Sequence, residues 1–95
     1  MIERHLTFNV HPDRTAAFEQ FIGGEYRPAM ATAPGFVRCD LLRESDSPTR
    51  YQLVFRFADA EKATAWRTSA IHQALQPALK ELHADMAVQA YEVIS

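Results

Sequence analysis

Cysteine occurs once in the 95 residues, at Cys39, so neither an internal disulfide framework nor a multi-thiolate metal site can form. Glycine occurs three times and proline five, and no repeat, linker or low-complexity tract is present, which excludes a disordered or linker-rich chain. Neither sign of charge is in excess. Ten Lys and Arg stand against twelve Asp and Glu, a formal net charge of -2, with no basic run of the kind that tracks a nucleic-acid backbone, so no nucleic-acid partner is expected. Long apolar runs are also missing. The opening stretch MIERHLTFNV carries charges at positions 3 and 4 and reads as neither a signal peptide nor a membrane span. A cytoplasmic location without membrane attachment is the expectation.

The residues that are present form an ordinary globular composition, 47% hydrophobic and 23% charged. Surface scaling for this size leaves roughly 5,500 Å² exposed and buries about 65% of the unfolded surface, which allows one thin-cored domain over residues 1–95. From Ile2 to Val10 the chain alternates, with Ile2, Leu6, Phe8 and Val10 on one face and Glu3, His5, Thr7 and Asn9 on the other: a strand with one apolar face. Asp13 is a candidate N-cap for a helix to about Met30 carrying Phe18, Phe21, Ile22 and Ala29, which Gly23, Gly24 and Pro28 should weaken, kink or break. Strands are expected over Phe36–Arg43 and Arg50–Phe57, joined by the polar turn ESDSPT into a hairpin. Asp59 caps a short helix holding Ala63 and Trp66, after which Thr68 and Ser69 interrupt and can cap another, with a stripe of Ile71, Leu75, Ala78, Leu79 and Leu82. Met86–Ile94 alternates again as a last strand.

This order, βαββαβ, specifies an α+β ferredoxin-like fold, one four-stranded antiparallel sheet with helices on one side. The uncovered face is expected to carry His5, Thr7, Asn9, Val37, Cys39, Leu41, Val54, Tyr91 and Val93, a mixture apolar enough to predict a homodimer through the sheet face.

Three stretches, APGFVRCDLL at 33–42, YQLVFRFADAEKATAW at 51–66 and WRTSAIHQ at 66–73, resemble the antibiotic biosynthesis monooxygenase-like family. The resemblance spans nearly the whole chain and implies a homodimeric α/β barrel built from this unit. One branch of the family resembles cofactor-free oxygenases that convert phenolic or anthrone-like aromatics into quinones; another degrades haem. The haem branch pairs a Trp with a later His and an Asn on the first strand. Here Trp66 matches, but Gln76 stands at the His position, with His72 one turn early, and Leu6 stands at the Asn position, which removes the principal iron ligand. The quinone-forming branch carries a Trp, a Tyr six residues later and an Asn four residues before the Trp. Trp66 and His72 reproduce the first pair with His for Tyr, and Lys62 replaces the Asn.

The candidate catalytic residues are accordingly His72, Trp66 and Glu25. On an unbroken helix, Trp66 and His72 would diverge by about 240°, so their meeting depends on the break at Thr68–Ser69. Against this, Trp66 also reads as simple core packing and His72 as a structural hydrogen-bonding group. His72, with an ordinary pKa near 6.5, is the available general base. Glu25 falls on the stripe meant to face the sheet, unless the helix irregularity rotates it outward. Tyr26, Phe8, Phe21, Phe55, Ile71 and Lys62 are the expected substrate-binding wall, Tyr26 serving equally as a core residue and Lys62 as a solvated one. His5, His11 and His83 match no metal motif, so no metal is expected; mid-strand Cys39 reads as a small apolar residue. The expected function is a cofactor-free monooxygenase acting with dioxygen on a small aromatic or quinol-like substrate. The alternative is a non-oxidative ligand-binding protein or pathway isomerase or cyclase on the same fold.

Overall fold

In the computed structural model, which describes residues 1–95, the alternating first stretch forms β1 (Ile2–Val10). There follow α1 (Thr15–Phe21), a π-helical turn over Ile22–Tyr26, α2 (Arg27–Ala31), β2 (Phe36–Arg43), β3 (Arg50–Phe57), α3 (Ala60–Arg67), α4 (Ala70–Leu82) and β4 (His83–Glu92). The strands make one antiparallel sheet in the order β2-β3-β1-β4, the α+β ferredoxin-like arrangement that the alternation predicts. Asp59 caps α3 by accepting a 2.8 Å hydrogen bond from the Lys62 N–H, and Ser69 caps α4 by accepting from the His72 N–H at 3.1 Å.

The core lies between the sheet and the helices. Leu6 faces Leu53 and Phe8 faces Tyr51 across β1 and β3, and Phe18 of α1 stacks on both Phe8 and Tyr51 at ring separations of 5.2 and 5.0 Å. Phe8, Phe18, Leu53 and Phe57 are wholly buried, and each such side chain contributes about 1.5–3 kcal/mol through its removal from water. No helix is long and apolar enough to cross a membrane.

Three stretches depart from expectation. The long first helix does not break at Gly23 and Gly24; it widens there into the π turn, with the Arg27 N–H donating back five residues to the Ile22 carbonyl. Asp13 is not the cap, since Arg14 occupies that place without a side-chain cap bond. Pro28 is accommodated because it sits in the first turn after the π segment, where a missing N–H disturbs least.

The second correction concerns β2. Phe36 pairs with Phe57 but Arg38 pairs with Arg56, so the register shifts at Val37 and the alternation inverts from there. Cys39 and Leu41, expected outside, therefore oppose the core residues Phe55 and Leu53, and Arg38, Asp40 and Leu42 turn outward instead. The outer face is thereby more polar than expected, with Glu3 paired to Arg56 at 2.6 Å and Arg38 to Asp40 at 2.6 Å. Third, β4 starts at His83, directly after Leu82 of α4, and ends at Glu92, so Val93 falls beyond it.

Gly35 fixes the approach of α3 to the sheet. Its φ is +84°, its carbonyl accepts from the Ala58 N–H at 2.8 Å, and a Cβ placed on it would lie 2.7 Å from Cβ and Cγ of Lys62. Left-handed strain and overlap act together here. Gly35→Ala is expected to lower unfolding stability by about 2–4 kcal/mol in urea denaturation, and adding Lys62→Ala, which keeps the obstructing Cβ, is expected not to restore it.

Candidate active site

Two helices that meet at a two-residue junction build the site. The Ser69 hydroxyl donates to the Trp66 carbonyl at 2.7 Å and accepts from the His72 N–H at 3.1 Å, so α3 stops and α4 restarts on a new axis. The turn brings the Trp66 and His72 rings to 5.2 Å in an edge-to-face arrangement. Tyr26 closes the group from the π turn, its ring 5.8 Å from Trp66 and 6.1 Å from His72. The wider turn also explains Tyr26's position: Ile22 and Tyr26 are both buried, while Gly23, Gly24 and Glu25 between them are exposed.

These three rings wall a cavity of about 110 Å³, floored by Leu6 and Phe55 of the sheet and bounded by Arg4, Arg67, Gln76 and Leu79. On its open side lie Met86 and Val88 of β4, which pair with Phe8 and Leu6 and so share the helix-side face, yet remain 43% and 55% exposed. A second cavity of about 170 Å³ touches Trp66 from the opposite side, lined by Pro34, Lys62, Ser69 and Ile71 among others. Two larger clefts, of about 340 and 400 Å³, flank Tyr51. They are polar and open, and their charged groups are already satisfied in part: Tyr51 donates to Glu19 at 2.5 Å, and Arg43 pairs with Glu19 at 3.2 Å.

Within the aromatic cavity the polar groups are under-satisfied. Trp66 Nε1 and His72 Nδ1 are buried and without a hydrogen-bond partner, an arrangement uncommon in folded proteins and informative where it occurs. Gln76 Nε2 lies 3.3 Å from His72 Nε2; with the amide donating, Nε2 accepts and the ring proton resides on Nδ1. Burial pushes the His72 pKa below its ordinary value, the Arg67 charge adds to that, and the Arg67 carbonyl works the other way. At neutral pH the ring is therefore neutral, the form able to take a proton. Burial pushes the Tyr26 phenol up to about 12, opposed weakly by the Trp66 N–H from outside regular hydrogen-bond geometry. Tyr26 is thus a donor at neutral pH and not a base. Cys39 is inert by the same physics, its buried thiol pushed up to about 11.

Residues 1–78 match the protein family described as antibiotic biosynthesis monooxygenase. The chain belongs to that family. Among solved structures, the cofactor-independent oxygenase SnoaB from Streptomyces nogalater is similar at 23% identity and a TM-score of 0.89, with 99% of this chain and 93% of that one covered. An antibiotic biosynthesis monooxygenase-like protein from Nitrosomonas europaea matches over 100% of both chains at 22% identity and a TM-score of 0.87. One from Bordetella bronchiseptica matches at 26% identity and a TM-score of 0.88, covering 99% of this chain and 97% of that one. No curated protein matches the chain in sequence.

Set against this family, the expected site residues divide into four groups. Tyr26, Phe55, Trp66 and His72 converge on the smaller cavity. Lys62 and Ile71 line the one behind Trp66. Phe8 and Phe21 are core residues that reach neither. Glu25 is exposed and belongs to no cavity, because the π turn rotates it away from the sheet. Gln76, at the position of the haem branch's His, instead holds His72. Arg4, Arg67, Met86 and Val88 lie outside the expected set; the legible signal was Arg4, a charge at an inward position of β1 between Ile2 and Leu6.

The depressed His72 pKa has a measurable consequence. Around it stand the fixed charges of Arg4 and Arg67 and the neutral Tyr26 and Gln76, and only the Arg67 carbonyl favours the imidazolium, against the larger effect of burial. His83, half-buried near His11, shifts in the same direction. Below their ordinary value of 6.5 the unfolded chain binds protons that the folded chain resists, so this contribution to stability is present above pH 6.5 and is lost as pH falls through the folded values. Urea unfolding across this range is expected to show stability rising with pH, with a smaller slope in His72→Gln.

Proposed function

We propose that the protein is a cofactor-independent monooxygenase whose substrate is a small electron-rich aromatic of phenolic, quinol or anthrone type. The observation that carries this reading is the Trp66–His72 pair, held edge to face at 5.2 Å over an apolar cavity in which both rings keep an unpartnered nitrogen. Family membership and the likeness to a cofactor-independent oxygenase support it. A cavity of 110 Å³ lies below the ~300–1,000 Å³ usual for ligand sites and near the size of an apolar cavity that holds one benzene ring. One ring enters, and the rest of a larger substrate lies across the exposed Met86 and Val88.

Neutral His72 removes a proton from the activated C–H or phenol through the Nε2 lone pair, which the substrate takes over from Gln76, and Tyr26 donates a hydrogen bond to the resulting oxyanion. The electron-rich carbanion reduces dioxygen and binds it as a hydroperoxide at the same carbon. Loss of water then leaves a carbonyl, so that CH₂ and O₂ become C=O and H₂O with no outside reductant. Trp66 stacks on the ring and excludes water. The non-oxidative alternative has no observation of its own in its favour.

Dioxygen uptake with a panel of anthrones and hydroquinones is expected to exceed the enzyme-free rate, to fall about 10²-fold or more in His72→Ala, and to fall less in Trp66→Phe. Wild-type rates equal to the control across the panel would defeat the oxygenase reading, and turnover surviving His72→Ala would defeat the base assignment.

The working unit in this proposal is a cytoplasmic homodimer joined through the outer sheet face, where Leu42, Val54 and Tyr91 are the apolar side chains left uncovered by the helices. Light scattering is expected to give twice the chain mass of 10.8 kDa, and Val54→Glu with Leu42→Glu is expected to return the monomer mass.

A further inference from the structure

The mouth of the aromatic cavity holds two positive charges and no negative one. Arg4 is half-buried on the helix-side face of β1, opposite Phe55 on β3 and Ala90 on β4. Arg67 stands at the end of α3. Both border the cavity, and no Asp or Glu does. Arg38, Arg43, Arg50 and Arg56 each pair with a carboxylate within 4.0 Å, whereas Arg4 and Arg67 pair with none; the exposed Arg14 and Arg27 are also unpaired but border no part of this cavity. Glu92 shares the inward face of β4 with Ala90 and still makes no ion pair with Arg4.

Two neighbouring guanidiniums without a carboxylate between them are an unfavourable arrangement. A guanidinium stays protonated in proteins, so Arg4 cannot escape its surroundings by neutralising, although burial and the Arg67 charge both push its pKa below the ordinary value. The half-buried Arg4 and the exposed Arg67, with no counter-ion of their own, create a positive potential that an incoming anion relieves. The adjacent buried Trp66, only 3% exposed, adds an unpartnered indole N–H on the same wall. Buried aromatic rings and two cationic side chains thus line one cavity, a layout that orients an amphipathic ligand.

From this we infer that the cavity selects aromatic acids, with one ring among Tyr26, Trp66 and His72 and a carboxylate held at the mouth by Arg4 and Arg67. The inference rests on the reading, given above, that the cavity accepts one aromatic ring; it does not require the oxidative step. It also sets the ligand's polarity. The acid group lies toward Arg4 and Arg67, and the ring carbon to be activated lies toward His72.

The chain's single tryptophan is Trp66, so its fluorescence reports occupancy without any turnover. Titration with 4-hydroxybenzoate and with its neutral isostere 4-hydroxybenzamide is expected to show the acid binding about tenfold or more tighter, the scale of one charge-assisted hydrogen bond. Added NaCl is expected to weaken the acid and leave the amide unchanged. Arg4→Gln and Arg67→Gln are each expected to reduce the acid's advantage and together to abolish it. Retained amide affinity shows that the cavity in those variants is intact. Equal binding of the two probes by wild type, or an advantage that survives in the double variant, overturns the inference while leaving the ring-binding cavity standing. Failure of both probes to perturb Trp66 overturns the cavity as a binding site and the inference with it. Dioxygen uptake does not enter these readouts, so failure of the oxygenase reading is seen separately.

Discussion

The site depends on one hydroxyl. Ser69 ties the end of α3 to the start of α4 by donating to the Trp66 carbonyl and accepting from the His72 N–H, and that pair of hydrogen bonds replaces what would otherwise be a continuous helix. Without the break, Trp66 and His72 would be separated by about 240° of rotation and so point about 120° apart. With it, two side chains six positions apart meet over one cavity. The thin core makes this geometry worth having, since a chain of 95 residues has few elements with which to surround a ligand. A helix turned through a corner presents two walls where a straight helix presents one.

The same economy appears in two local insertions, the π turn at Ile22–Tyr26 and the bulge at Val37. Each adds a residue to a regular element and so inverts or rotates everything that follows. The π turn puts Tyr26 against Trp66 and swings Glu25 into solvent. The bulge turns Cys39 and Leu41 into the core and Arg38 and Asp40 out of it. Periodicity shows the kind of element well, which is why the strand spans Phe36–Arg43 and Arg50–Phe57, the Asp59 and Ser69 caps and the ferredoxin-like order were all legible. It does not show phase across an irregularity. The GGEYRP stretch announced an irregularity without saying whether it would break, kink or widen the helix, and nothing in APGFVRCDLL marks the extra residue at all.

The candidate site was legible to a similar depth. Trp66, His72 and Tyr26 could be named because aromatic and imidazole side chains near a helix irregularity have few purely solvated uses, and Phe55 because it falls on the apolar face of β3. Phe8 and Phe21 satisfied the same description, yet a core and an apolar pocket draw on one residue vocabulary, and only packing separates them. Arg4 was hidden for the opposite reason. In the run Ile2, Arg4, Leu6, Phe8, Val10 the eye for an apolar face passes over the one residue that breaks it, although an inward charge is the less ordinary observation and the more informative one.

The electrostatics of the cavity bear on its chemistry. His72 has no carboxylate to orient it or to stabilise its imidazolium; Gln76 holds one ring nitrogen and the nearby fixed charge is positive. Such an imidazole is a weak base in isolation, and proton abstraction by it produces a cation next to Arg67 and Arg4. The opposing charge must then come from the other product of the transfer. A substrate anion formed against the same two guanidiniums supplies it, because those charges disfavour the protonated ring and favour the deprotonated substrate at once. In the proposed reaction the two guanidiniums thus act on both partners of the proton transfer: they disfavour the imidazolium and, with the Tyr26 hydroxyl, favour the deprotonated substrate.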